Sequence, residues 1–150
     1  MPRVYVGLGS NLGERERNLS RAREEMERKG SMKIVKASST RETDPVDYLN
    51  QPKFMNQVVL IETVYGPHEL LRALKEIERI MGRRVGIPKG PRIIDLDILL
   101  YDSIVLDTPD LIIPHPGIGV RDFVREHLLE LDPEMRDPLS GRRIDGSGLL

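Results

Sequence analysis

The order in which two hydrophobic periods alternate along the chain limits its possible folds more than any other feature. Residues 3 to 9 alternate, with Val4, Val6 and Leu8 on one side, as a half-buried strand does. After a GSNLGE turn, Leu19, Ala22 and Met26 recur at helical spacing between Glu14 and Lys29, a narrow stripe suited to covering a sheet with its back to water. Met32 to Thr40 reads as a second strand, RETDPVDYLNQPK as a long loop, and Phe54 to about Val64, rich in β-branched residues, as a third strand. Gly66 and Pro67 open a second helix with a broad apolar face, Leu70, Leu74, Ile77 and Met81, which Gly82 is placed to end. PRIIDLDILLY is a fourth alternating segment, DSIVLDTPDLIIP a hairpin, and Arg121 to Leu131 a short helix before a polar tail.

Strand, helix, strand, strand, helix, strand predicts a ferredoxin-like α+β fold, an antiparallel sheet with both main helices on one face, followed here by the C-terminal hairpin and short helix. The other face is then open, and the loops before the third and fourth strands are long enough to fold over it. With 150 residues, a single domain spanning 1–150 is expected.

Charge narrows the partners. Basic and acidic residues balance, 23 against 24, so the total favours neither nucleic acid nor an anionic membrane, and any functional charge must be local. Cysteine is absent, which excludes disulfides and thiolate metal sites. No apolar run approaches the ~20 residues that span a bilayer, and MPRVYVGLG lacks a signal-peptide layout. The expectation is a cytoplasmic protein, a monomer or weak homodimer, with small-molecule partners.

Asp95 and Asp97 carry the strongest chemical signal. On a strand they share a face with Ile93 and Leu99, opposite Ile94, Leu96, Ile98 and Leu100, and their Cα atoms lie ~6.6 Å apart. Like charges so close call for a cation, a proton or an arginine. Just upstream, Arg83, Arg84, Lys89 and Arg92 are interleaved with Gly86, Pro88, Gly90 and Pro91. A solvated loop has such a composition too, and Arg83 or Arg92 could simply pair with Asp95. Joined to two carboxylates, the loop suits a nucleoside triphosphate, because Mg²⁺ is held by one or two carboxylates plus phosphates, which in turn need cations.

GLGSNLG invites a dinucleotide-binding reading, but Gly9 is followed by Gly13, four positions on rather than three, and the favoured reading is a tight turn with Ser10 or Asn11 capping a helix. There is no P-loop pattern. Phe54 and Asn56 share a strand face and offer a flat surface and an amide, which suits a planar heterocycle or, alternatively, a core. His115 is held between two prolines, next to Arg121 and Phe123, while His68 and His127 fall in helical stretches and carry no assignment; the three form no zinc pattern.

Taken together, GSNLG, ETDPV, QPKFMN, EIERIMGR, GPRIIDLDILLY and IPHPGIGVRDFV resemble the 6-hydroxymethyl-7,8-dihydropterin pyrophosphokinases of folate biosynthesis, over nearly the whole chain. The resemblance implies transfer of the β,γ-diphosphate of ATP to the pterin hydroxymethyl oxygen, with release of AMP. It implies that Asp95 and Asp97 hold two Mg²⁺ ions and act in catalysis with Arg83 and Arg92. Arg83, Arg84, Lys89, Arg92, Ile98, His115 and Arg121 would meet ATP. Phe54 and Phe123 would sandwich the pterin, whose edge Asn56 would read with groups near Thr43 and Val46. Glu78 would lie near the nucleotide or support the arginine loop. The family's mobile loops correspond to 43–53 and 83–91. Pro88 and Lys89 stand where many members have Arg-Trp, Asp47 where glycine is common, and FVREHL where a more apolar FVLxPL is usual. No general base stands out.

Two other readings are a ferredoxin-like sensor or RNA-binding module, disfavoured by 4% aromatic residues and balanced charge, and a different transferase using the same metal pair.

Overall fold

The computed structural model describes residues 1–45, 51–82 and 91–145. Its elements are β1 (Arg3–Ser10), α1 (Arg15–Glu27), β2 (Met32–Ala37), β3 (Arg41–Thr43), β4 (Phe54–Thr63), α2 (Pro67–Ile80), β5 (Asp95–Tyr101), β6 (Leu106–Asp107), β7 (Ile112–Ile113), α3 (Gly117–Val120) and α4 (Asp122–Leu131). The sheet runs β2-β4-β1-β5 with every neighbouring pair antiparallel, so the ferredoxin-like order holds.

Local chemistry explains the two long helices. Gly66 is extended and Pro67 follows at the first helical position, while the Glu69 carboxylate accepts the Gly66 N–H over 3.0 Å. At the other end, Gly82 takes φ +97, a left-handed conformation open to glycine, and stops α2. Leu70, Leu74 and Ile77 from α2 meet Leu19, Ala22 and Met26 from α1 over Val4, Val6, Leu8, Val59, Ile61, Leu96 and Ile98 of the sheet.

Three expectations need correction. The strand expected from Met32 to Thr40 breaks at Ser38, whose hydroxyl accepts the Val58 N–H over 2.9 Å, and pairing with β4 resumes at β3, inside what reads as loop. The face opposite α1 and α2 is not wholly open. Ile118, Val124, Leu128 and Leu131 cover part of it with Val58, Leu99 and Leu100 as a second core. The tail is not merely polar: Met135 and Ile144 join that core, Ile144 N–H donates to the Met135 carbonyl over 2.8 Å, and Asp137 is buried.

β5 also departs from simple alternation. Val6 pairs with Ile98 but Tyr5 pairs with Leu100, so Leu99 is an extra residue, a β-bulge. Leu100, expected with Ile94, Leu96 and Ile98, therefore turns to the opposite face with Leu99.

Candidate functional site

The uncovered part of the second face is a cleft of about 340 Å³ whose floor is the sheet. Register places its contents. Gly9 is the cross-strand partner of Asn56 on one side and Asp95 on the other, and Gly7 likewise lies between Val58 and Asp97. Asn56 and Asp95 are thus about 9 to 10 Å apart at the backbone, two strand spacings, with only glycine between them. A Cβ at Gly9 would stand 3.1 Å from Asn56 Oδ1 and 3.5 Å from the Phe54 ring. The GLG segment, part of the strand read at residues 3 to 9, keeps the floor flat.

Asp95 and Asp97 both line the cleft, partly exposed. His115 closes one side, its Nε2 3.9 Å from Asp97 Oδ1. Its Nδ1 accepts the Gly117 N–H over 2.8 Å, which leaves the neutral ring's proton on Nε2, toward the acid. Burial lowers its pKa, opposed by Asp97, with Arg121 pushing further down and Asp95 up. The bulge sets its place: the His115 backbone N–H donates to the Leu99 carbonyl over 3.0 Å. Gly117 is required beside it, since a Cβ there would lie 2.9 Å from His115 Nδ1.

The other end of the cleft is aromatic and amide-lined. Phe54 opens β4 and Phe123 sits in the first turn of α4; both are partly exposed and both line the cleft. Asn56 donates its amide N–H to the Thr43 hydroxyl, which β3 brings alongside. Arg92 and Arg121 also line the cleft, and the Arg121 Nε is buried with no hydrogen-bond partner among the described residues.

Two expected residues, Ile98 and Glu78, fall outside the cleft. Ile98 is 2% exposed, its side chain in the helix-side core. Glu78 is buried and accepts the Leu96 N–H over 2.8 Å, so it holds the strand that carries the aspartates. Val46, Arg83, Arg84 and Lys89 lie outside the described residues, as does most of the arginine loop.

Two residues escaped sequence reasoning. Asn11 caps no helix; α1 begins at Arg15, and Asn11 instead donates to Gln51 Oε1 (2.8 Å) and the Pro52 carbonyl (3.0 Å) while accepting the Arg92 N–H (2.7 Å). It fastens the inner ends of both long loops. His127, given no role from sequence, is 2% exposed and borders the cleft. Its departure from the apolar FVLxPL pattern was the available signal.

Two carboxylates of hard oxygen, partly exposed and convergent, fit Mg²⁺, which keeps several waters and shares phosphate oxygens. Among the described residues no group of three or more His, Asp or Glu could hold a metal ion.

The fold and the cleft define a ferredoxin-like α+β protein with paired carboxylates on the face away from its main helices. Residues 5–133 match the model of the family described as 7,8-dihydro-6-hydroxymethylpterin-pyrophosphokinase (HPPK). The chain belongs to that family. It is 38% identical over 146 residues to the 2-amino-4-hydroxy-6-hydroxymethyldihydropteridine pyrophosphokinase of Bacillus subtilis, covering 97% of this chain and 87% of that protein. It is 41% identical over 141 residues to the folic acid synthesis protein fol1 of Pneumocystis carinii, covering 94% of this chain and 19% of that protein. The chain thus spans under a fifth of the length of that fungal relative. Among solved structures, the Plasmodium falciparum HPPK-DHPS chain is similar in fold, with a TM-score of 0.70 at 17% identity over 96% of this chain and 42% of that one.

Proposed function

We propose that this chain transfers the β,γ-diphosphate of ATP to the hydroxymethyl group of 6-hydroxymethyl-7,8-dihydropterin, releasing AMP, as a step of folate biosynthesis. The observation that carries the reading is the glycine-floored row Asn56, Gly9, Asp95, which sets a heterocycle-reading amide and a carboxylate at opposite ends of one cleft. A planar ring would lie between Phe54 and Phe123, which line the same cleft, with Asn56 and Thr43 on its polar edge, and Val46, outside the described residues, is proposed to take part. The ring's hydroxymethyl arm then extends over Gly9 toward Asp95 and Asp97.

Asp95 and Asp97 would hold two Mg²⁺ ions. Bound there, the ions would neutralise phosphate charge and lower the pKa of the attacking hydroxyl. Arg92, Arg121 and His115 Nε2–H line the same cleft as donors, Ile98 contributes at most backbone, and Arg83, Arg84 and Lys89, outside the described residues, are proposed to bind ATP as well. In the transfer, the hydroxymethyl oxygen bonds to the β-phosphorus, the bond from that phosphorus to the α,β-bridging oxygen breaks, AMP leaves, and the hydroxyl proton is lost. Phosphoryl transfer asks the protein chiefly for alignment and charge neutralisation, and this cleft is built for both.

The 150 residues serve as one catalytic unit, working on small molecules in the cytoplasm as a monomer or weak homodimer, without nucleic acid or membrane. Among the described residues no helix is long and apolar enough to cross a membrane. The test is incubation with ATP, Mg²⁺ and the reduced hydroxymethylpterin. Stoichiometric AMP with a pyrophosphorylated pterin is expected; ADP in place of AMP would overturn the reaction.

A further inference from the structure

His127 is the one histidine here whose burial has no internal explanation. It projects from the middle of α4 and is 2% exposed, yet both Nδ1 and Nε2 are buried with no hydrogen-bond partner among the described residues. Buried polar atoms are normally paired, and an orphaned ring is costly when an apolar side chain could occupy the same place. Val124 and Leu128, its neighbours on the helix, are apolar and packed into the second core, so the surroundings alone do not call for an imidazole.

What His127 does have is a border on the cleft, shared with Phe123 one turn earlier and with Asn56 on the sheet. The charged groups acting on it are Glu130 on its own helix and Arg41 on β3. Burial outweighs them and keeps the ring neutral near pH 7, with one N–H to donate and one nitrogen to accept. A pterin-like heterocycle carries both kinds of group around its rim, more than the Asn56 amide can match. A molecule seated between the two phenylalanines is therefore placed to supply the partner that the protein does not.

We propose that His127 is a specificity-determining residue that hydrogen-bonds the flat heterocycle at the aromatic end of the cleft. The inference rests on the reading of the acceptor substrate given above and adds to it a residue of this chain. It concerns recognition and not the phosphorus chemistry, so its removal should act on one substrate only.

The test uses the full chain and the variants His127→Leu, His127→Asn and His127→Gln, with 6-hydroxymethyl-7,8-dihydropterin and ATP titrated separately. In His127→Leu the KM for the pterin is expected to rise about 10-fold, while kcat and the KM for ATP stay within about two-fold. At least one of His127→Asn and His127→Gln, which restore a donor and an acceptor, should recover much of the loss, and circular dichroism on each variant identifies those that are folded. An unchanged pterin KM in folded His127→Leu overturns the proposal, as does an equal rise in both KM values. If the wild-type chain binds no pterin, the substrate reading falls and takes this inference with it; normal wild-type binding with an unaffected variant removes this inference alone.

Discussion

Asn11 and Arg92 hold each other by two hydrogen bonds, the Asn11 N–H to the Arg92 carbonyl at 3.0 Å and the Arg92 N–H to Asn11 Oδ1 at 2.7 Å. The same Asn11 amide reaches Gln51 and Pro52, so one buried side chain ties together the C-terminal ends of both long loops. Asn11→Ala should cost about 1 to 3 kcal/mol, as expected for buried hydrogen bonds left half-made. Urea denaturation measures this. A stability within error of wild type would show that the loop ends are held by other means.

Gly9→Val should leave the fold in place and impair binding of the acceptor. Its Cβ would press within 3.1 Å of Asn56 Oδ1, and its methyl groups would stand on the cleft floor. The expected loss of pterin affinity is at least ten-fold, about 1.4 kcal/mol or more. Calorimetric titration giving wild-type affinity would contradict the placement of the ring arm over Gly9.

Asp97→Ala should abolish AMP formation while the circular dichroism spectrum is retained, because the side chain is partly exposed and packs no core. Mg²⁺-dependent nucleotide binding should weaken in parallel. Normal AMP production by the variant would remove Asp97 from the cation site.

Phe123→Ala should weaken pterin binding by ~1 to 3 kcal/mol if base-stacking energies carry over to a pterin. The ring also touches the second core, so a small loss of stability is expected too. Equilibrium binding separates the two effects, and unchanged affinity would count against the sandwich.

Acid should destabilise the protein partly through His127. Burial lowers its pKa below the ordinary value of 6.5, with Glu130 opposing and Arg41 assisting. Just below that value the unfolded chain binds more protons than the native one, so stability falls as pH drops from about 6.5 toward the folded pKa, and is insensitive to this group above it. Comparing urea midpoints at about pH 7.5 and about pH 5.5, wild type should lose more than His127→Leu. Equal losses would mean that other groups dominate.

The parts of this architecture legible in the sequence are those set by local periodicity. The Pro67-to-Gly82 helix, the Asp95/Asp97 face and the element order all follow from spacing and terminal residues. Register was not legible: that Gly9 lies between Asn56 and Asp95, and Gly7 between Val58 and Asp97, depends on two partners of β1 that only the closed sheet supplies. Asn11 was misread because its partners lie 40 and 81 residues away, whereas capping is a local rule. His127 carried no assignment, because a helical stretch does not by itself say which face packs, and only the packing of α4 on the sheet buries it.

The bulge at Leu99 stores part of the site in the number of residues rather than in their identity. A side chain of different shape at that position would alter the second core, but the carbonyl that receives His115 would still point out of the ladder. Deleting one residue there would restore an unbroken pleat and improve the pairing of β5, yet withdraw the anchor that sets His115 opposite Asp97. Along this strand, a better sheet and a working cleft are competing outcomes, separated by a single backbone unit.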